Sequence, residues 1–131
     1  MSLTSIHSLD YTVLLCRNLA GTRDFYRDVM AFPLVYDHER WVEFRVGGAI
    51  LALRRRGQAP WGDDGPLKEG SAAVQLAFRV PPAAVDECHA ELVAAGVPIL
   101  RGPTDLTSPW HHRTLFFSDP EGNVIEIYAE I

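Results

Sequence analysis

Three segments of this 131-residue chain recur later in it, in the same order. Tyr11-Thr12-Val13-Leu14 matches Gln75-Leu76-Ala77-Phe78. Ala31-Phe32-Pro33-Leu34 matches Gly96-Val97-Pro98-Ile99. Gly48-Ala49-Ile50-Leu51-Ala52-Leu53 matches Gly122-Asn123-Val124-Ile125-Glu126-Ile127. Such a chain is two copies of one unit. A unit of about 60 residues is marginal on its own. Two are expected to pack side by side or to swap between chains.

Each copy reads as strand, helix, then three strands. In the first, residues 9–16 form a short, nearly all-apolar run with β-branched Thr12 and Val13. A helix follows, capped by Asn18 or Thr22 and running to about residue 30. Phe25, Tyr26 and Val29 share its apolar face, and Arg23, Asp24, Arg27 and Asp28 its polar one. Strands are expected over residues 33–37, 41–46 and 49–54, with Gly47-Gly48 as a hairpin turn. In the second copy, residues 73–80 are a strand. Pro81-Pro82 opens a helix that Gly96 closes. Short strands follow over residues 97–100, 114–118 and 124–128, and residues 104–109 are a loop. Between the copies, Gly, Pro and Asp dominate residues 57–70, which mark a linker or surface loop around Trp61. The domain plan is one domain over 1–131, with module one at 7–56 and module two at 71–131.

A net charge of -5 argues against a nucleic-acid surface. No apolar run reaches the length of a membrane span, and residues 1–5 lack the pattern of a signal peptide. The two cysteines, Cys16 and Cys88, show no metal-type spacing. Together these features point to a cytoplasmic protein.

The last repeated segment carries the one discordant residue. Asp119-Pro120-Glu121-Gly122-Asn123 is a tight turn, and the strand after it is apolar except for Glu126. A carboxylate among apolar neighbours is costly unless it is paired, hydrated or bound.

These residues resemble the vicinal oxygen chelate superfamily, which groups glyoxalase I, bleomycin-resistance proteins, fosfomycin-resistance enzymes and extradiol dioxygenases. The resemblance is carried by Leu9 to Val13, Phe25-Tyr26, Leu34, Gly47-Gly48, Gln75 to Val80, Ala95-Gly96-Val97, and Phe117 to Asn123 with Ile125-Glu126-Ile127. It implies an α+β fold of two tandem βαβββ modules. They form an open, cup-shaped mixed sheet with helices on its outer face. It also implies a homodimer. Metal-dependent members place ligands at positions that here hold Tyr11, Ala52, Gln75 and Glu126. Alanine has no donor atom, and tyrosine ligates poorly unless ionised. The family metal site is therefore read as lost, and no cofactor is expected. A divalent metal on Gln75, Glu126 and His112 is the alternative.

Strand alternation then assigns the faces. Leu14, Leu51, Leu53, Leu76, Phe78, Ile125 and Ile127 form a purely apolar face under the helices. If Phe44 and Phe117 join them, the opposite face holds Trp41, Glu43, Arg45, Arg54, Arg79, His112, Thr114, Phe116 and Tyr128. Glu126 is read either as an ion-pair partner of Arg54 or Arg79, or as a catalytic or ligand-binding group beside Tyr11. Tyr11 is equally read as packed aromatic and Gln75 as a strand bridge. Trp41, Trp61, Trp110 and Phe116 are read as a clamp for a flat ligand, or as core or interface residues. Arg54 or Arg79 would hold a ligand anion.

Three functions follow. The first is a protein that binds a small organic ligand without the full metal site, with antibiotic sequestration as one form. The second is a metal-dependent lyase, isomerase or dioxygenase. The third is a non-catalytic interaction module.

Overall fold

The computed structural model describes residues 3–57 and 74–131. Trp61 and most of the expected linker lie outside the described residues. The chain divides into two compact units, residues 1–65 and 66–131.

The first unit holds strands β1 (Tyr11–Cys16), β2 (Leu34–Asp37), β3 (Trp41–Val46) and β4 (Ala49–Arg55). Their order in the sheet is β1-β4-β3-β2, with β1 parallel to β4 and the other pairs antiparallel. Helix α1 (Leu19–Asp24) continues as a wide π turn over Phe25–Val29. Asn18 takes the cap, its Oδ1 accepting from the Gly21 N–H at 2.9 Å. Thr22, the other expected cap, lies inside the helix, where its hydroxyl donates back to the Asn18 carbonyl. Phe25 and Tyr26 are buried, and Tyr26 packs near Phe32 and Phe44.

The second unit repeats this plan with β5 (Gln75–Arg79), α2 (Ala84–Ala94), β6 (Ile99–Leu106), β7 (His112–Ser118) and β8 (Val124–Glu130). The order is β5-β8-β7-β6, again with the first pair parallel. Each unit is therefore an open four-stranded mixed sheet with its helix, an α+β βαβββ architecture. No helix among the described residues is long and apolar enough to cross a membrane.

The repeat extends to register. Tyr11 lies opposite Ile50 as Gln75 lies opposite Val124. Those are the partners that the sequence match pairs. After each helix the chain turns through a positive φ at the matched position, Ala31 at 56° and Gly96 at 78°. Glycine accommodates that conformation without a steric penalty and alanine does not.

The apolar face is the core of each sheet, as alternation predicts. Leu53, Phe44, Phe117, Leu115 and Ile125 are fully buried. In the second unit Arg113 ties helix to sheet, donating to Asp86 of α2 at 2.8 Å and to Asp105 of β6 at 2.9 Å.

One strand differs from expectation. β6 was expected to stop near residue 100, with a loop after residue 103, yet it runs to Leu106. Its pairing with β7 shifts register around Gly102-Pro103, so turn-forming residues mark an irregularity inside the strand rather than its end. Gly102 has φ 93°, and a Cβ there would sit 2.5 Å from the Thr114 carbonyl oxygen.

The turn before β8 is closed by Asp119, which is only 5% exposed. Its Oδ1 accepts from the N–H groups of Glu121 and Asn123, both at 2.9 Å, and its Oδ2 from the Asn123 amide at 2.8 Å. The Asn123 Oδ1 in turn accepts from the Val74 N–H at 3.1 Å.

Two stability predictions follow from these contacts. Gly102→Ala is expected to cost about 3 kcal/mol in urea unfolding, from backbone strain plus the clash with β7. Asp119→Ala should cost about as much, because it strips a buried carboxylate from three donors. A loss below about 0.5 kcal/mol in either variant would contradict the assigned contact.

Candidate binding face of the second unit

Cross-strand register assembles the polar face of the second sheet. Arg101, Phe116, Glu126 and Ala77 form one row across β6, β7, β8 and β5. Thr104, Thr114, Tyr128 and Arg79 form the next.

Glu126 sits at the centre, half-buried. The Gln75 Nε2 donates to its Oε1 at 3.1 Å, and the Thr114 hydroxyl donates to its Oε2 at 2.6 Å. Thr114 is fully buried, so its rotamer is set by packing. The carboxylate is thus gripped from both sides by neutral donors. Among the described residues no cation pairs with it.

That outcome separates the readings of Glu126. Arg79 turns instead to Glu130, at 3.2 Å. This pair is exposed at both ends and contributes little to stability. Arg54 belongs to the first unit, where its Nη1 donates to the Arg55 carbonyl. Gln75 is the strand bridge that the sequence suggested, and it bridges to the carboxylate itself. The role of Thr114 was not foreseen. Its place on the polar face was legible, but a threonine within a strand gives no signal that it will hold an acid.

The aromatic candidates disperse. His112 stacks on Tyr128 with centroids 4.6 Å apart. It lies opposite Glu130, four residues beyond Glu126, or roughly 13 Å along the strand. The structure therefore does not bring His112 to Glu126. Phe116 is directly opposite Glu126. Trp110 stands in the turn before β7 and is 63% exposed. Trp41 lies on β3 of the first unit, where its Nε1 donates to Glu43 at 2.8 Å. Tyr11 is half-exposed at the start of β1.

The family-type metal positions can be tested on these side chains. Ala52 is a fully buried methyl with no donor. The Gln75 Nε2 is engaged with Glu126, so only its amide oxygen could ligate. Among the described residues no group of three or more His, Cys, Asp or Glu side chains is placed to hold an ion. This donor set does not fit a divalent metal held by several protein N, O or S ligands.

Residues 8–127 match the profile of the Glyoxalase/Bleomycin resistance protein/Dioxygenase superfamily. The chain belongs to this superfamily. Among named relatives it is 24% identical to the virulence protein STM3117 of Salmonella typhimurium, over 93% of this chain and 83% of that one. It is 22% identical to the metallothiol transferase FosB of Staphylococcus saprophyticus, over 95% and 78%. Among solved structures, a glyoxalase/bleomycin resistance protein/dioxygenase from Nocardioides superposes with TM-score 0.80 at 21% identity, covering 99% and 89%. A lactoylglutathione lyase from Agrobacterium tumefaciens superposes with TM-score 0.73 at 22% identity, covering 95% of each chain. At these identities the structures establish the shared fold.

Elsewhere in this unit, burial raises the pKa of the Cys88 thiol, and Glu91 and Glu87 raise it further. A raised pKa leaves less thiolate at neutral pH, and thiolate is the nucleophile. Cys16 is fully buried. Native protein at neutral pH is expected to react with a disulfide reagent more slowly than a free cysteine at both positions. The Cys88 rate should climb only as pH rises past the ordinary thiol range. Labelling of Cys88 at the free-thiol rate would contradict this.

Proposed function

We propose that this protein binds a small organic ligand on the polar-aromatic face of its second sheet, with Glu126 as the anchor. The supporting observation is the grip on that carboxylate. Gln75 and Thr114 fix both oxygens without neutralising the charge, so a remaining lone pair faces the ligand side already oriented. Preorganised groups of this kind bind with little further loss of freedom. A carboxylate without a protein cation favours a ligand with a protonated amine or strong N–H donors. Phe116 beside it favours an apolar or flat portion, and His112 stacked on Tyr128 extends the aromatic surface. This departs from the anionic ligand expected on Arg79, because Glu130 already occupies that guanidinium.

Sequestration of a cationic organic molecule suits this arrangement better than metal-assisted chemistry, for which the donors are too few. Catalysis by Glu126 and Tyr11 has no supporting contact among the described residues. A homodimer remains part of the proposal on family grounds, and the free thiols of Cys16 and Cys88 favour a reducing compartment.

Thermal-shift screening with cationic aromatic compounds, followed by calorimetry, tests the reading. Glu126→Gln is expected to weaken binding at least about tenfold. Thr114→Val should weaken it less, because one of the two orienting bonds is lost. Undiminished binding by Glu126→Gln would reject the anchor.

A further inference from the structure

Across the sheet from Glu126 stands a charge of opposite sign. Arg101 lies on β6 opposite Phe116, and its guanidinium carbon sits 4.6 Å from the Phe116 ring centroid. Phe116 is in turn opposite Glu126. The row therefore reads cation, ring, carboxylate. The Arg101 side chain makes no hydrogen bond or ion pair with any described residue; its contact is with the face of the ring. A guanidinium stacked in this way keeps its edge donors free in a fixed fork, the geometry that takes carboxylate or phosphate.

The two charges do not neutralise one another. Glu126 is turned to Gln75 and Thr114, and Arg101 lies on Phe116. Their backbones are two strand spacings apart, roughly 10 Å. Each is held by a neutral or aromatic neighbour rather than by a counter-ion.

We propose that the ligand is amphoteric: its ammonium or N–H group meets Glu126, and a carboxylate at its other end meets Arg101. This rests on the reading of Glu126 as anchor and adds a second point of attachment. Arg101 then acts as the specificity residue. It distinguishes amino-acid-like molecules from simple amines. Sequence reading had no access to it, because β6 was expected to end one residue earlier.

The test uses the full chain and probes whose two charges are variably spaced: β-alanine, γ-aminobutyrate and ε-aminohexanoate, with butylamine and butyrate as single-charge controls. Amide NMR titrations at millimolar concentration read binding at Gln75, Phe116 and Glu126. At least one amino acid is expected to bind about tenfold tighter than either control. Arg101→Gln should abolish that advantage. Glu126→Gln should weaken butylamine and the amino acids together. If butylamine binds through Glu126 but no amino acid exceeds it, the second attachment is wrong and the anchor stands. An amino-acid advantage that survives Arg101→Gln likewise overturns the role of Arg101. If no probe perturbs these residues, or Glu126→Gln changes none of the affinities, both readings fail.

Discussion

The buried Asp119 carboxylate is the contact on which the second unit's geometry depends. It holds two backbone N–H groups and one side-chain amide of a five-residue turn. The amide belongs to Asn123, whose oxygen holds the backbone just before β5. One acid thus sets where β8 begins and how β5 lies against it. Because strand side chains alternate, a slip of one residue would send Glu126 to the core and Ile125 or Ile127 to the polar face. The turn therefore does more than reverse the chain. It decides which face receives the carboxylate.

Two units with the same fold and register differ in chemistry at matched positions, most sharply at one. Glu126 occupies it in the second, and Ala52, fully buried, in the first. In the first unit the nearest carboxylate on that face is Glu43 on the neighbouring strand, directly opposite Ala52 and held by Trp41. The scaffold places a side chain at each matched point, but its identity is set position by position. Fold and function separate here within a single chain.

Much of the fold was legible because its signals are local or repeated. Alternation assigned both faces, Gly47-Gly48 gave the hairpin, and the duplicated segments gave the strand partners. The extent of β6 was not legible. Gly102 and Pro103 ordinarily announce a turn, and only close approach to the Thr114 carbonyl explains a glycine inside a strand. At the site, Glu126, Gln75 and Phe116 could be named from parity and family position. Which carboxylate Arg79 would choose could not, because Glu130 and Glu126 lie on the same face and only side-chain geometry separates them. The distance of His112 from Glu126 likewise depended on strand register.

The hold on Glu126 comes entirely from β5 and β7 of its own unit. The first unit's matching positions, Tyr11 and Ala52, are thereby released from that duty. Substitutions there leave the two hydrogen bonds to Glu126 in place. A duplicated chain of this kind has room to diverge in one half while the other keeps its grip.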